Sequence, residues 1–88
     1  MGVLEVQIDQ NRLATFDGKV LEVFGGSVRR FHINLLTVKI SRPDKRGSRV
    51  VTLTQALNEA SLPLDESQFA AFQPILDAMR DAGVKIAF

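Results

Sequence analysis

Four basic residues, Arg42, Lys45, Arg46 and Arg49, crowd one short stretch in which Asp44 is the only acid. Arginine can grip an oxyanion through two parallel N–H bonds, and lysine adds a compact point charge. The chemistry on offer is anion binding, to a phosphate or an anionic lipid headgroup, with no bond made or broken. A solvated surface loop accounts for the same composition. His32 is the only histidine. A histidine titrates near neutrality and can act as a switch or a base. General-base work also needs a nucleophile and an orienting partner, and no motif around Arg30-Phe31-His32-Ile33 supplies them. A structural or surface role is expected for it.

The remaining candidates are weaker. Ser27, Ser41, Ser48, Ser61 and Ser67 lie in neither Gly-x-Ser-x-Gly nor Ser-x-x-Lys. Gly25-Gly26-Ser27 offers backbone N–H groups but lacks the lysine and the spacing of a phosphate-binding loop. It reads as a sharp turn between strands. The absence of cysteine rules out disulfides, thiolate metal sites and a cysteine nucleophile. One histidine cannot build the usual zinc constellations. No catalysis, cofactor or metal is expected. Single-stranded nucleic acid is read by exposed aromatic side chains. The chain has no Trp or Tyr, its six Phe fall mainly at core-parity positions, and its net charge is +1. No nucleic-acid partner is expected.

The elements that must position these residues fit one small domain, residues 1–88. The chain is 45% hydrophobic and 24% charged, which argues against disorder. Charge is uneven along it: residues 1–55 carry +4 and residues 56–88 carry −3. The halves can attract each other within one fold. No apolar run approaches the roughly 20 residues that span a bilayer. Met1-Gly2-Val3-Leu4-Glu5 has neither a basic region nor a long apolar stretch. The expected compartment is the cytoplasm.

Alternation of apolar and polar residues marks strands within residues 3–54. Leu4, Val6 and Ile8 open the series, and Asp9-Gln10-Asn11 turns the chain. Arg12 to Phe16 is a second strand, and Asp17-Gly18 is expected to form a two-residue hairpin turn with positive φ at both positions. Lys19 to Phe24 follows. Phe31, Ile33 and Leu35 share one parity, whereas Leu36, Val38 and Ile40 share the other. A period of two changes phase only at a bulge, bend or turn, so two strands meet near Asn34-Leu35. Residues 42–48 form a charged loop, and Arg49 to Thr54 a sixth strand.

Residues 55–64 read as an irregular linker, with a helical turn over Ala56 to Ala60 stopped by Ser61-Leu62-Pro63. A helix is expected over about 66–82. Asp65 and Gln68 form a capping pair, and Phe69, Phe72, Leu76 and Met79 make one apolar stripe destined for the core. Pro74 predicts a kink or two abutting helices, and Gly83 a C-terminal cap. Residues 84–88 form an extended tail.

The architecture that follows is mainly β with a C-terminal helix. It is an antiparallel bent sheet or partly open barrel of about six to seven strands, capped by one amphipathic helix. The order of hairpin, Gly-rich break, Arg-Arg-Phe-His-Ile strand, second hairpin and Phe69-Ala70-Ala71-Phe72…Leu76-Asp77-Ala78-Met79 helix resembles the small bacterial pleckstrin-homology-like (PH-like) domains. The resemblance covers roughly residues 12–82. It implies an interaction module whose partner is a protein, or another copy of the chain. The alternative is an anionic lipid headgroup or phosphate bound at Arg42, Lys45, Arg46 and Arg49, at an anionic membrane surface in the lipid case. Basic residues of the first hairpin carry headgroup binding in such domains, and Asp9-Gln10-Asn11 has none.

Overall fold

The alternating stretches fold into two antiparallel meanders. The computed structural model describes residues 2–88. Met1, counted in the expected domain 1–88, lies outside the described residues. β1 (Leu4–Gln7), β2 (Leu13–Phe16), β3 (Val20–Gly25) and β4 (Ser27–His32) form the first sheet in that order. β5 (Leu36–Ile40), β6 (Arg49–Gln55) and β7 (Asn58–Leu64) form the second. After helix α1 (Glu66–Asp81), β8 (Lys85–Ala87) joins the second sheet parallel to β5. The protein is mainly β with one C-terminal helix. Its two sheets do not close into a barrel.

The described residues form eight strands rather than six or seven. The expected irregular linker over residues 55–64 is in fact mostly β7, and no helical turn forms over Ala56 to Ala60. Gln55 pairs with Asn58, so Ala56-Leu57 is the whole turn. Ala56 takes a φ of 52°, a left-handed conformation that alanine enters at some cost and that glycine or asparagine would announce. The Ser61-Leu62-Pro63 segment does not stop the chain, because β7 is an outer strand and tolerates proline. The tail supplies the eighth strand.

The Asp17-Gly18 turn also differs from expectation. Phe16 pairs with Leu21, so four residues, Asp17 to Val20, separate the paired positions. Of the two named residues only Gly18 has positive φ, 99°. The Asp17 carboxylate accepts from the N–H groups of Lys19 at 2.9 Å and Val20 at 2.8 Å. That side-chain closure stabilises a longer turn than the two-residue form. The change of parity falls where expected, at a single 3-10 turn over Ile33–Leu35. It carries the chain from one sheet to the other.

Both ends of α1 are built from the residues the sequence marks. Asp65 accepts from Gln68 N–H at 2.7 Å, and Gln68 Oε1 accepts from Asp65 N–H at 2.9 Å. At the far end Gly83 has a φ of 96°, and Val84 N–H donates to the Met79 carbonyl at 3.0 Å. That bond, with Gly83 N–H on Arg80, is a Schellman cap. Pro74 does not divide the helix, which runs unbroken for 16 residues. Pro74 and Ala70 are both exposed, so water can reach the one carbonyl that proline leaves without a helical donor.

Phe72, Ile75, Leu76 and Met79 of α1 close one core with Phe16, Leu21 and Phe31 of the first sheet and Val38, Leu53 and Leu64 of the second. Each such side chain contributes about 1.5–3 kcal/mol when fully buried. Phe69, expected in this core, is only half-buried and sits at its rim. It lies at the first turn of the helix, where the stripe runs out past the sheets. Among the described residues, no helix is long and apolar enough to cross a membrane.

Candidate functional site

The β5–β6 loop is shaped by the only acid within it. The Asp44 carboxylate accepts from Arg46 N–H at 2.8 Å and Ser48 N–H at 2.9 Å. Asp44 N–H returns a bond to the Ser48 carbonyl at 2.9 Å. Asp44 is thus spent on folding the loop and pairs with none of the neighbouring cations. Gly47, with a φ of 81°, completes the turn. A Cβ there would meet Glu66 Oε2 at 3.3 Å, so glycine also allows the loop to lie against the start of α1. At the base, Ser41 Oγ accepts from Val50 N–H at 2.8 Å. Arg49 donates to the Ser41 carbonyl at 3.2 Å, and its guanidinium carbon stands 5.1 Å from the centre of the Phe69 ring. Such a cation over an aromatic face is attracted by the ring quadrupole.

Between this loop and α1 lies an open concavity of about 740 Å³. Lys45, Arg46 and Arg49 face it from the loop side, and Glu66, Phe69 and Gln73 from the helix. Three of the four expected anion-binding residues therefore come together. Arg42 does not join them: it faces a smaller concavity of about 410 Å³ beside Asp65 and Gln68. Arg49 borders both. Among the described residues, none of Arg42, Lys45, Arg46, Arg49 and Glu66 belongs to an ion pair. Sequence reasoning missed Phe69, Glu66 and Gln73. The spacing of three and four between Glu66, Phe69 and Gln73 was the available signal, since it puts them on one helix face.

In the first hairpin the one cation, Arg12, is paired with Asp9 at 2.9 Å. Asp9 accepts from Asn11 N–H at 2.8 Å, from Arg12 Nε at 2.9 Å and from Gln68 Nε2 at 3.2 Å. The Asn11 N–H and the Arg12 guanidinium hold its carboxyl below the ordinary value. Arg12 also donates to the Pro63 carbonyl at 2.9 Å. These bonds lock the β1–β2 turn onto the junction of β7 and α1.

A second feature is the outer edge of β4. Ile33 N–H donates to the Lys19 carbonyl at 2.9 Å, which sets the phase of the β3–β4 ladder. In an antiparallel pair, bonded residues alternate with residues whose N–H and C=O face away. Phe31 and Arg29 therefore bond to β3, while Val28, Arg30 and His32 present their backbone groups outward. The His32 N–H is taken by Gln55 Oε1 at 3.1 Å, and His32 Nδ1 accepts from Asn34 N–H at 3.2 Å. The only histidine is thus a cap for the 3-10 turn. The outward N–H groups of Val28 and Arg30 meet no acceptor among the described residues. Ser27 to Arg30 are all exposed. Their flanking charges are loosely held: Arg30 reaches Glu22 at 3.5 Å and Arg29 reaches Asn58 at 3.5 Å.

Among the described residues, no three His, Asp or Glu side chains gather as metal ligands would. No protein-family model, curated protein or solved structure matches this chain.

Proposed function

We propose that this chain is a non-catalytic protein-binding module on a PH-like scaffold. It takes an extended, acidic segment of a partner protein as an added strand beside β4. The PH-like part of the reading is supported by the order of elements: a four-stranded meander, a three-stranded meander, then a C-terminal helix. The non-catalytic part is supported by the occupation of His32 in capping. The observation that carries the binding mode is the pair of outward, unmet N–H and C=O groups at Val28 and Arg30. A partner strand gains main-chain hydrogen bonds there, and side-chain pockets then set its specificity.

Charge selects the partner. Arg29 and Arg30 project to opposite faces of the edge, so both faces of an added strand would meet a guanidinium. A second copy pairing β4 against β4 would bring four arginines together, and like charges across a ladder are destabilising. An acidic strand reverses that sign.

Titration of the 88-residue chain with a peptide alternating Glu with Val and Thr tests this. The Val28 and Arg30 amides should shift and gain protection from exchange. Arg30→Pro removes one outward N–H at a position where an edge strand accepts proline, and it should abolish the effect while the circular dichroism stays unchanged. Amides that do not respond to the peptide would overturn the proposal. So would protection without peptide in a particle of dimer mass, which would put a second copy on the edge.

A further inference from the structure

The concavity beside α1 shares no residue with the β4 edge. Lys45, Arg46 and Arg49 face Glu66 across it, and three cations against one carboxylate leave two positive charges. Arg49 is the fixed member of the group. One of its N–H groups is on Ser41, its guanidinium carbon lies over the Phe69 ring, and its other donors stay available. Lys45 and Arg46 are exposed and can close from above.

The helix side is different, because it accepts rather than donates. Gln73 Nε2 donates to Asp77 Oδ1 at 2.9 Å, and no donor among the described residues meets Gln73 Oε1. Pro74 has no N–H, so the Ala70 carbonyl lacks its helical partner. The Glu66 carboxylate is unpaired. Phe69 adds an apolar floor between the two sides. A matching ligand carries a dianion at one end and hydroxyl donors on a carbon skeleton at the other.

We propose that this concavity binds a phosphorylated sugar. The phosphomonoester lies against Lys45, Arg46 and Arg49. Hydroxyls donate to Gln73, Ala70 and Glu66, and the carbon skeleton lies beside Phe69. A phosphomonoester carries about −1.5 to −2 charges near neutral pH, which matches the excess of two positive charges. Inorganic phosphate matches the charge but leaves the acceptors on the helix unmet, and a site built to hydrogen-bond hydroxyls discriminates against a ligand without them.

The full 88-residue chain is titrated with glucose 6-phosphate and, separately, with inorganic phosphate. Glucose 6-phosphate should bind with a Kd at or below about 1 mM and shift the resonances of Arg49 and Phe69. Replacing both exposed cations, Lys45→Gln with Arg46→Gln, should weaken it by about tenfold or more through loss of charge-assisted bonds. Gln73→Ala should weaken glucose 6-phosphate and leave inorganic phosphate unaffected. No shift up to about 10 mM ligand would overturn the proposal. Equal affinity for inorganic phosphate would do so as well. Sedimentation with phosphatidylserine vesicles, lost in the double variant while glucose 6-phosphate fails to bind, would give the cations to a membrane surface instead.

Discussion

β7 and β4 are outer strands of the two sheets, and their free edges are finished differently. On β7 the Pro63 carbonyl points away from β6 and is covered by Arg12 at 2.9 Å. The nitrogen on the same side is proline's and carries no proton. On β4 the equivalent groups of Val28 and Arg30 stay open, and only His32, at the end of the strand, is covered, by Gln55 at 3.1 Å. Proline and covering side chains are the usual means by which a sheet avoids unwanted pairing. This chain uses both of them on β7 and leaves the middle of β4 without either. The exposed side chains of Arg29 and Arg30 flank that open run.

That contrast rests on one shared core, so the largest expected effect is on both edges at once. Phe72 is fully buried where α1 meets the two sheets. Phe72→Ala should cost about 3–5 kcal/mol, read as a large fall in the thermal midpoint. If the β4 amides kept their exchange rates while those of β7 rose, the edges would belong to separate units and the comparison would fail. A smaller change sharpens the contrast. Gln55→Ala should cost about 0.5–1.5 kcal/mol, the worth of one hydrogen bond, and should release the His32 amide to exchange. The open run on β4 would then extend from two outward N–H groups to three. An unaltered His32 exchange rate would mean that Gln55 does not guard this edge. The smallest effect tests the opposite side. Pro63→Thr should cost about 0.4–1 kcal/mol through the entropy of the unfolded chain and give β7 an outward N–H. New self-association in light scattering is the expected outcome. A monomer at all concentrations would assign the protection to Arg12 alone.

Much of this fold is legible where local chemistry and burial agree. Asp65, Gln68 and Gly83 mark the ends of α1 because capping uses side chains and φ preferences that belong to those residues. The phase change at Asn34-Leu35 is visible because Leu36, Val38 and Ile40 are all buried after Phe31. β7 is hidden for the converse reason. Ala56-Leu57 turns the chain without turn residues, held by the ladder on either side, and Pro63 lowers any expectation of a strand. The candidate sites are legible in part. The cations of the β5–β6 loop stand together in sequence, but the helix wall that faces them comes from residues whose spacing first suggests core. The split of Arg42 from Lys45 and Arg46 follows from the Asp44 turn, which no count of charges contains. The open edge of β4 depends on ladder phase, a property of pairing rather than of composition.

β8 bears on the order in which the molecule assembles. Every other strand pair joins neighbours in sequence, whereas Lys85 must find Thr37 after the whole of β6, β7 and α1 has intervened. Closing a long loop costs more entropy than closing a hairpin, and pairings across such a span are slow to form. The Schellman bond from Val84 to Met79 sets the direction of the tail, so β8 docks only once the helix has a C-terminus to leave from. β8 should therefore be the last strand to pair and the first to open. In the native protein, the three residues of β8 should open and reclose many times for each global unfolding event.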